Sequence, residues 1–353
     1  MRDPVDRSRR RVLGQVAMTM AAPLGLLSTA TASGRVTREL AAVDRATHWL
    51  GSPPLKAADL AGKVVLVDFW TYTCINWLRT QPYVRAWAGK YGQGLVVIGV
   101  HTPEFPFEQN VDNVRRAREH RRIDYPVVID NDQAIWRAFG NQYWPARYFL
   151  DAGGHVRERQ FGEGEYERAE RTIQRLLAAA GASGVPGGLV SVEATGVEAA
   201  ADWNTLRSSE LYLGLDRTAN FASPGGAASN LRRYAAPARL AVHEWALAGE
   251  WTMGNRAVVL GEDRGRVVLR FHARDVHLVM GPARPGLQVP FRVSIDGQPP
   301  GPAHGVDVDD QGNGTVTDPR LYQLIRQPGA ISDRTFEIEF LGAGVETYAF
   351  TFG

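Results

Sequence analysis

Between residues 44 and 180 the apolar positions alternate between two textures. Val64-Val65-Leu66-Val67 is a short β-branched run suited to a buried central strand, and Leu95-Val96-Val97-Ile98-Gly99-Val100 is a second. Val127-Val128-Ile129 and Tyr148-Phe149-Leu150 are shorter strands. Gly153-Gly154 turns the latter back onto a partner around Val156. The intervening spacing predicts helices. Residues 75–91 take their apolar positions from Trp77, Leu78, Tyr83, Val84 and Trp87. Residues 107–122 read as a polar, Arg-rich surface helix, and residues 165–180 turn Ile173, Leu176 and Leu177 inward. Strands alternating with helices predict an α/β domain on a largely parallel sheet covered on both faces.

The pattern breaks at residues 181–188, Gly-Ala-Ser-Gly-Val-Pro-Gly-Gly, which have little to bury and read as a linker. From 189 to 353 short alternating runs recur between turn clusters: 211–215, 257–260, 267–271, 276–280, 291–295, 335–340 and 347–352. Asp296-Gly297, Gly312-Asn313-Gly314 and Pro328-Gly329 mark turns, and no long helix is evident. This predicts an all-β sandwich as the second domain.

Residues 1–32 have a different texture. Ser8-Arg9-Arg10-Arg11-Val12-Leu13-Gly14 is a twin-arginine pattern. An apolar stretch from Val16 to Leu27 follows, and Ala30-Thr31-Ala32 supplies small residues at signal-peptidase spacing. The stretch falls short of the roughly 20 residues that a spanning helix needs. We read residues 1–32 as a twin-arginine signal peptide directing export, to the periplasm or another extracytoplasmic compartment. They also change the charge picture. The 353 residues carry 40 Lys+Arg against 38 Asp+Glu, net +2. Five Arg and two Asp fall in the first 32, so the remainder is close to −1. No clustered basic face supports nucleic-acid binding, and no other segment approaches membrane-spanning length.

The chain has one cysteine, Cys74. An intramolecular disulfide and a cysteine-rich metal site within one chain are thereby excluded. The sequence shows no phosphate-binding glycine loop and no nucleophile elbow, so no cofactor or metal is expected. Cys74 follows the strand of Val67-Asp68-Phe69-Trp70 and opens the helix at Ile75. Helix dipole and free N–H groups stabilise a thiolate at such a position, which predicts a thiol more acidic than a free one. The alternative is an inert buried cysteine.

This stretch resembles thioredoxin-like proteins. In that family an acid lies six residues before the nucleophilic cysteine, and Asp68 holds the place. An aromatic lies four before (Trp70), a helix-kinking proline eight after (Pro82). A cis-proline before a later strand faces the cysteine, and Pro145, in Tyr143-Trp144-Pro145-Ala146-Arg147, fits. Trp70-Thr71-Tyr72-Thr73-Cys74-Ile75-Asn76, Gly99-Val100-His101-Thr102-Pro103-Glu104-Phe105 and Phe161-Gly162-Glu163-Gly164-Glu165-Tyr166 are similar to the exported C-terminal part of DipZ-type thiol-disulfide proteins. There a redoxin precedes a β-sandwich of carbohydrate-binding-module type. The resemblance implies a redoxin domain over residues 44–180 and a sandwich over 189–353. It also implies Cys74 as nucleophile, with Asp68 and Pro145 as catalytic neighbours. Trp70, Thr71, Thr73, Trp77, Trp144 and Arg147 would shape the site. Protein thiols or disulfides are the implied partners, with a glycan on the sandwich as a further ligand.

One departure matters. The family's Cys-x-x-Cys is here Cys74-Ile75-Asn76-Trp77, so the thiol that resolves a mixed disulfide is replaced by an indole. Asp68 loses its usual client, and a bulky ring one turn from Cys74 threatens to crowd it. Three readings follow. Cys74 acts as a monothiol whose mixed disulfides an outside thiol resolves; the fold is kept for binding alone; or Cys74 is a one-cysteine peroxidase. Thr71-x-x-Cys74 is half a peroxiredoxin pattern, but Val67 stands where its proline belongs.

Weaker signals carry bland readings. Arg79 reads as solvated surface charge, and Arg147 as a charge able to lower the Cys74 pKa. Glu104 reads as a solvated loop carboxylate near the sheet's carboxyl end. Trp203, Tyr212, Trp245 and Trp251 are candidate sugar platforms but fit a core better. Asp307-Val308-Asp309-Asp310-Gln311-Gly312 reads as an acidic turn rather than a calcium loop, since its twelfth position is Asp318. His272 and His277 would face opposite ways on one strand, so a shared metal is not expected.

Overall fold

The computed structural model describes residues 37–353. The twin-arginine segment therefore lies outside the described residues. The first domain holds helices α1 (Arg38–Ala42), α2 (Ala57–Leu60), α3 (Ile75–Tyr91), α4 (Val111–His120), α5 (Ala134–Phe139) and α6 (Tyr166–Ala179). Its strands are β1 (His48–Leu50), β2 (Val64–Trp70), β3 (Leu95–His101), β4 (Val127–Ile129), β5 (Ala146–Leu150) and β6 (Val156–Phe161). They form one sheet in the order β1-β4-β3-β2-β5-β6.

Only β2–β3 and β3–β4 pair in parallel; β1–β4, β2–β5 and β5–β6 are antiparallel. The largely parallel sheet expected from helix–strand alternation is thus corrected to a mixed one. Helices α3 and α4 supply the crossovers that parallel neighbours need, whereas β5 and β6 are joined by a tight turn that permits only antiparallel pairing. The Arg-rich helix also begins later than its composition suggests. Pro106–Gln109 form a 3-10 turn, and Asn110 caps α4 by accepting from the Asp112 N–H at 2.9 Å. Strand β2 is buried along its whole length, as its apolar run predicts.

The second domain is a curled antiparallel sheet. Its strands are β7 (Leu211–Tyr212), β8 (Arg232–Tyr234), β9 (Trp245–Met253), β10 (Val258–Leu260), β11 (Gly265–Phe271), β12 (Asp275–Pro282), β13 (Val289–Ile295), β14 (Asn313–Val316), β15 (Arg320–Arg326), β16 (Arg334–Phe340) and β17 (Val345–Phe352). Nine run in the order β14-β13-β16-β11-β9-β10-β17-β12-β15, with β7 on β17 and β8 on β9. One apolar core joins Phe291 and Phe336 near one end of that path to Leu278 and Tyr322 near the other. The sheet therefore folds over on itself as a half-barrel sandwich. Trp245 and Trp251 are fully buried in this core, while Trp203 is 60% exposed.

The reverse face of β12, β15 and β17 meets the first domain. Val279, Leu321, Tyr348 and Ala349 belong to the same apolar cluster as Trp70, Tyr72, Ile75 and Phe105. Tyr348 packs on Phe105 and Phe107 with ring centroids 5.1 and 4.8 Å away. The segment between α6 and the second domain is tied down. Lys90 Nζ and Gln174 Nε2 both donate to the Gly188 carbonyl, and the Val190 N–H donates to Glu170.

Candidate functional site

Strand β2 ends at Trp70, and the loop Thr71-Tyr72-Thr73 delivers Cys74 as N-cap of α3. Helical backbone follows at once: the Leu78 N–H donates to the Cys74 carbonyl at 2.9 Å. The sulfur makes no capping hydrogen bond. The N–H groups of Trp77 and Asn76 pull the thiol pKa down, as a helix N-terminus should. Burial outweighs them, and the carboxylates of Glu210 and Glu104 push the same way, so the thiol is raised well above its ordinary value. This corrects the expectation of an acidic thiol. The helix terminus is present, but the second domain packs against the same corner and leaves the cysteine half-buried.

Trp77 lies in the first turn of α3. Its ring turns inward, fully buried, and stacks on Trp70 at 4.3 Å between centroids. Its indole N–H donates to Asp68 Oδ2 at 3.0 Å. Asp68 lies on β2 and is fully buried; Oδ1 has no partner among the described residues. Burial pushes its carboxyl up to about 7, against the pull of Trp77 and Arg147. Trp77 is therefore the one described hydrogen-bond partner of the buried acid. Gly99 on the neighbouring strand makes room for this stack: a Cβ there would lie 3.0 Å from Trp70 Nε1.

Arg147 sits opposite Asp68 in the β2–β5 register and is fully buried. One of its terminal nitrogens donates to the carbonyls of Gly162 (3.2 Å) and Gly164 (2.8 Å). Its charge lowers the Asp68 pKa and is not among the causes that shift Cys74, which corrects its expected role. The Trp144–Pro145 peptide is cis, immediately before β5. Trp144 packs on Trp136 and donates through Nε1 to the Thr102 carbonyl at 3.0 Å, tying the proline loop to the end of β3.

Thr73 reveals a residue that sequence reasoning missed. Its hydroxyl donates to Glu108 Oε1 at 2.6 Å, while Glu108 Oε2 accepts from the N–H groups of Glu104 (2.7 Å) and Phe105 (2.8 Å). Glu108 is fully buried and pushed up to about 7 by that burial. It locks the cysteine loop to the loop after β3. The only available signal was an acid three residues after Phe105 in a one-turn capping arrangement. Thr71 approaches His101 Nε2 at 3.5 Å, and burial drives that imidazole down to about 3, so it is neutral.

Two residues read as solvated are engaged. Arg79, 3% exposed, pairs with Glu163 at 3.1 Å and donates to the Phe352 carbonyl at 2.9 Å. The second domain's last strand covers it, so its surface reading is corrected. Glu104 Oε1 accepts from Tyr212 (2.5 Å) and Arg217 (3.0 Å), and its carbonyl accepts from Arg256 (2.8 Å). The acidic turn is held by its own backbone, with Asp309 Oδ1 accepting from Gln311 and Asn313. His272 lies off the strand that carries His277 and bonds Asp333 at 2.6 Å. No metal-holding cluster occurs among the described residues, nor any helix long and apolar enough to cross a membrane.

Residues 48–159 match the AhpC/TSA family model, and residues 208–353 match the thioredoxin-like C-terminal domain. Protein DipZ of Mycobacterium bovis is 36% identical over 239 residues, covering 67% of this chain and 34% of DipZ. The chain thus spans about a third of that relative. Thiol-disulfide oxidoreductase YkuV of Bacillus subtilis is 28% identical over 130 residues, 37% of this chain and 88% of YkuV. The solution structure of a thioredoxin-like protein in its oxidized form overlays with a TM-score of 0.36 and 28% identity, over 38% of this chain and 90% of that one.

Proposed function

The chain is a thioredoxin-like redoxin related to DipZ and to thiol-disulfide oxidoreductases, and on that premise we propose that it performs thiol–disulfide chemistry with one thiol, Cys74. The observation that carries the proposal is the placement of Cys74 as N-cap of α3, with Trp77 turned away from it onto Asp68. The sulfur attacks a partner disulfide, and an outside thiol resolves the mixed disulfide, since no second cysteine exists. Asp68 and Pro145 are the neighbours we assign to the reaction. Trp70, Thr71, Thr73, Trp77, Trp144 and Arg147 hold the site's shape. Protein disulfides are the substrates of this reading, and the twin-arginine pattern in residues 1–32 supports a reaction outside the cytoplasm.

The raised pKa of the half-buried Cys74 favours one rival: a fold kept for binding, in which the β-domain holds a protein or a glycan and the thiol is idle. Alkylation of the folded full-length protein across pH separates the two. The monothiol reading expects Cys74 to be modified, with an apparent pKa above the roughly 8.5 of a free thiol, and a mixed disulfide to be trapped with a disulfide probe. A folded protein whose thiol neither alkylates nor exchanges would overturn it.

A further inference from the structure

The face that the second domain turns to the first carries two unlike rows. Val279 on β12 stands opposite Leu321 on β15 and Ala349 on β17. These three belong to the apolar cluster that holds Ile75 at the start of α3, and Cys74 packs against that cluster. Two residues back along β12, His277 stands opposite Gln323 and Thr351. Side chains two apart on a strand share a face, so this second row also points at the first domain. It is polar and almost fully buried. Both ring nitrogens of His277, both amide atoms of Gln323 and the Thr351 hydroxyl lack a partner among the described residues. Buried polar groups are ordinarily paired, and burying these without partners opposes docking of the two domains.

The charges around His277 suit only a neutral ring. Arg79 lies one turn after Ile75 on α3, and its charge acts on His277 from the first domain. Arg274, just before β12, and Arg326 on β15 act on it from the second. The carboxylate that favours the cation, Asp275 on β12, is already engaged, by Arg326 on one oxygen and Arg274 on the other, both at 2.7 Å. Beyond Arg79 lies its partner Glu163, at 3.1 Å. From β17 the row meets Thr351, and the Gly353 carbonyl accepts from the Asp275 N–H at 2.8 Å. A proton on His277 therefore adds a fourth cation to three arginines. Burial, reinforced by those arginines against the pull of Asp275, drives the imidazole down to about 3.

We propose that protonation of His277 releases the second domain from α3, which makes that domain an acid-operated cover over the Cys74 corner. The use of this device, admitting a partner disulfide to Cys74, rests on the monothiol reading above; the release itself does not. Release is cheaper than unfolding. Val276 and Leu278 lie in the second domain's own core, so drawing β12 out breaks that core. Lifting the face away hydrates His277, Gln323 and Thr351 and keeps the sheet. While the ring is neutral, the apolar row, the Tyr348 packing on Phe105 and the Arg79 bond to the Phe352 carbonyl hold the seam shut. A hydrated imidazole titrates near 6.5, so below that pH each unit of acid shifts the balance toward release by roughly tenfold. Glu163, raised above the ordinary range by burial, loses its charge in the same descent and leaves Arg79 without its anion.

The test uses the full chain. Small-angle scattering reads the separation of the domains, and circular dichroism confirms that both stay folded. Access to Cys74 is read with 2,2′-dipyridyl disulfide, which reacts with thiols in acid, each rate being divided by that of a free-thiol standard at the same pH. Between about pH 7 and about pH 4.5 the wild type should extend with its sheets intact, and its normalised rate should rise at least tenfold. His277→Gln and His277→Phe cannot take the proton and should show only a small part of that rise. Glu163→Gln should raise the starting rate and keep the His277-dependent rise. A wild type that stays compact at the lower pH, or that opens no more than the two His277 variants, overturns the proposal, and release with an unchanged rate overturns the covering role. If the domains separate and Cys74 never reacts, the monothiol reading falls while the release stands. If Cys74 reacts equally at both pH values in a chain that stays compact, the reverse holds.

Discussion

The indole N–H of Trp77 donates to Asp68 Oδ2 at 3.0 Å, and the two side chains form a fully buried pair. Trp77 contributes twice, as donor to the acid and as a ring stacked on Trp70. Trp77→Phe keeps most of the ring and removes the donor. The carboxyl then has no described partner, a loss on the order of 1–3 kcal/mol for a buried polar group. Equilibrium unfolding in urea should show that drop at unchanged m-value. An unchanged midpoint would mean that the bond does not form.

Trp77→Cys probes the same position differently. Truncating a buried tryptophan costs about 3–5 kcal/mol through the cavity left behind. The variant should nevertheless form a reducible bridge to Cys74, returning part of the loss under oxidising conditions. Mass measurement before and after reduction reads this directly. Absence of a bridge would show that position 77 is not that of a second thiol.

Asp68 should set a pH dependence of stability. Its carboxyl titrates near 3.9 in an unfolded chain and at about 7 in the fold. The fold therefore prefers the protonated form. The stability this lends is fully present below about pH 4 and is lost as pH rises through 7. Three units correspond to a loss of roughly 4 kcal/mol by pH 8. Asp68→Asn keeps an acceptor for Trp77 and cannot ionise, so its advantage over wild type should grow across that window. His101 and His277, both lowered to about 3, act in the opposite sense, losing stability as pH falls below 6.5. A difference between the two proteins that stays constant from pH 4 to 8 would contradict the assignment.

Much of this arrangement was legible beforehand, for a physical reason. Asp68, Trp70, Cys74 and Pro82 lie on one β-strand–loop–helix unit, so local pattern put that strand and helix where they are. What failed was local in appearance and distant in cause. Arg79 stands on a helix as any surface arginine would; only the strand ending at Phe352, 273 residues on, buries it. Strand β9 escaped notice because Gly249, at a φ of 103°, and Glu250 interrupt its alternation. Strand β15 hid behind Arg320 and Arg326, whose charges are taken up by Asp307 and Asp275. The acidity of Cys74 was misjudged because the dipole belongs to its own helix, whereas part of the packing and one opposing carboxylate, Glu210, come from the other domain.

Arg79 should be costly to remove. It bridges Glu163 and the Phe352 carbonyl with both charged side chains almost fully buried. Arg79→Met leaves an unpaired buried carboxylate, for which about 3–5 kcal/mol is typical. Adding Glu163→Gln removes the orphaned charge and should recover a substantial part. A double-mutant cycle by denaturant unfolding measures the coupling, and strictly additive losses would argue against the pair. Amide exchange should also quicken at Phe352, whose carbonyl loses its donor, while strands remote from this corner stay protected.

Glu104 offers the sharpest control over the thiol. Its carboxylate and that of Glu210 both oppose ionisation of Cys74. Its side chain also carries the contacts that hold the second domain over the site, from Tyr212 and Arg217. Glu104→Gln removes the charge while retaining an acceptor for both donors. The Cys74 titration should move down, toward that of a free thiol, and alkylation at neutral pH should accelerate. Glu104→Ala removes the charge and the contacts together. Were release of the covering domain the dominant effect, the Ala variant would react much faster than the Gln variant. Were charge dominant, the two would react alike. Alkylation rates that match wild type in both variants would show that Glu104 governs neither the charge nor the access of the thiol.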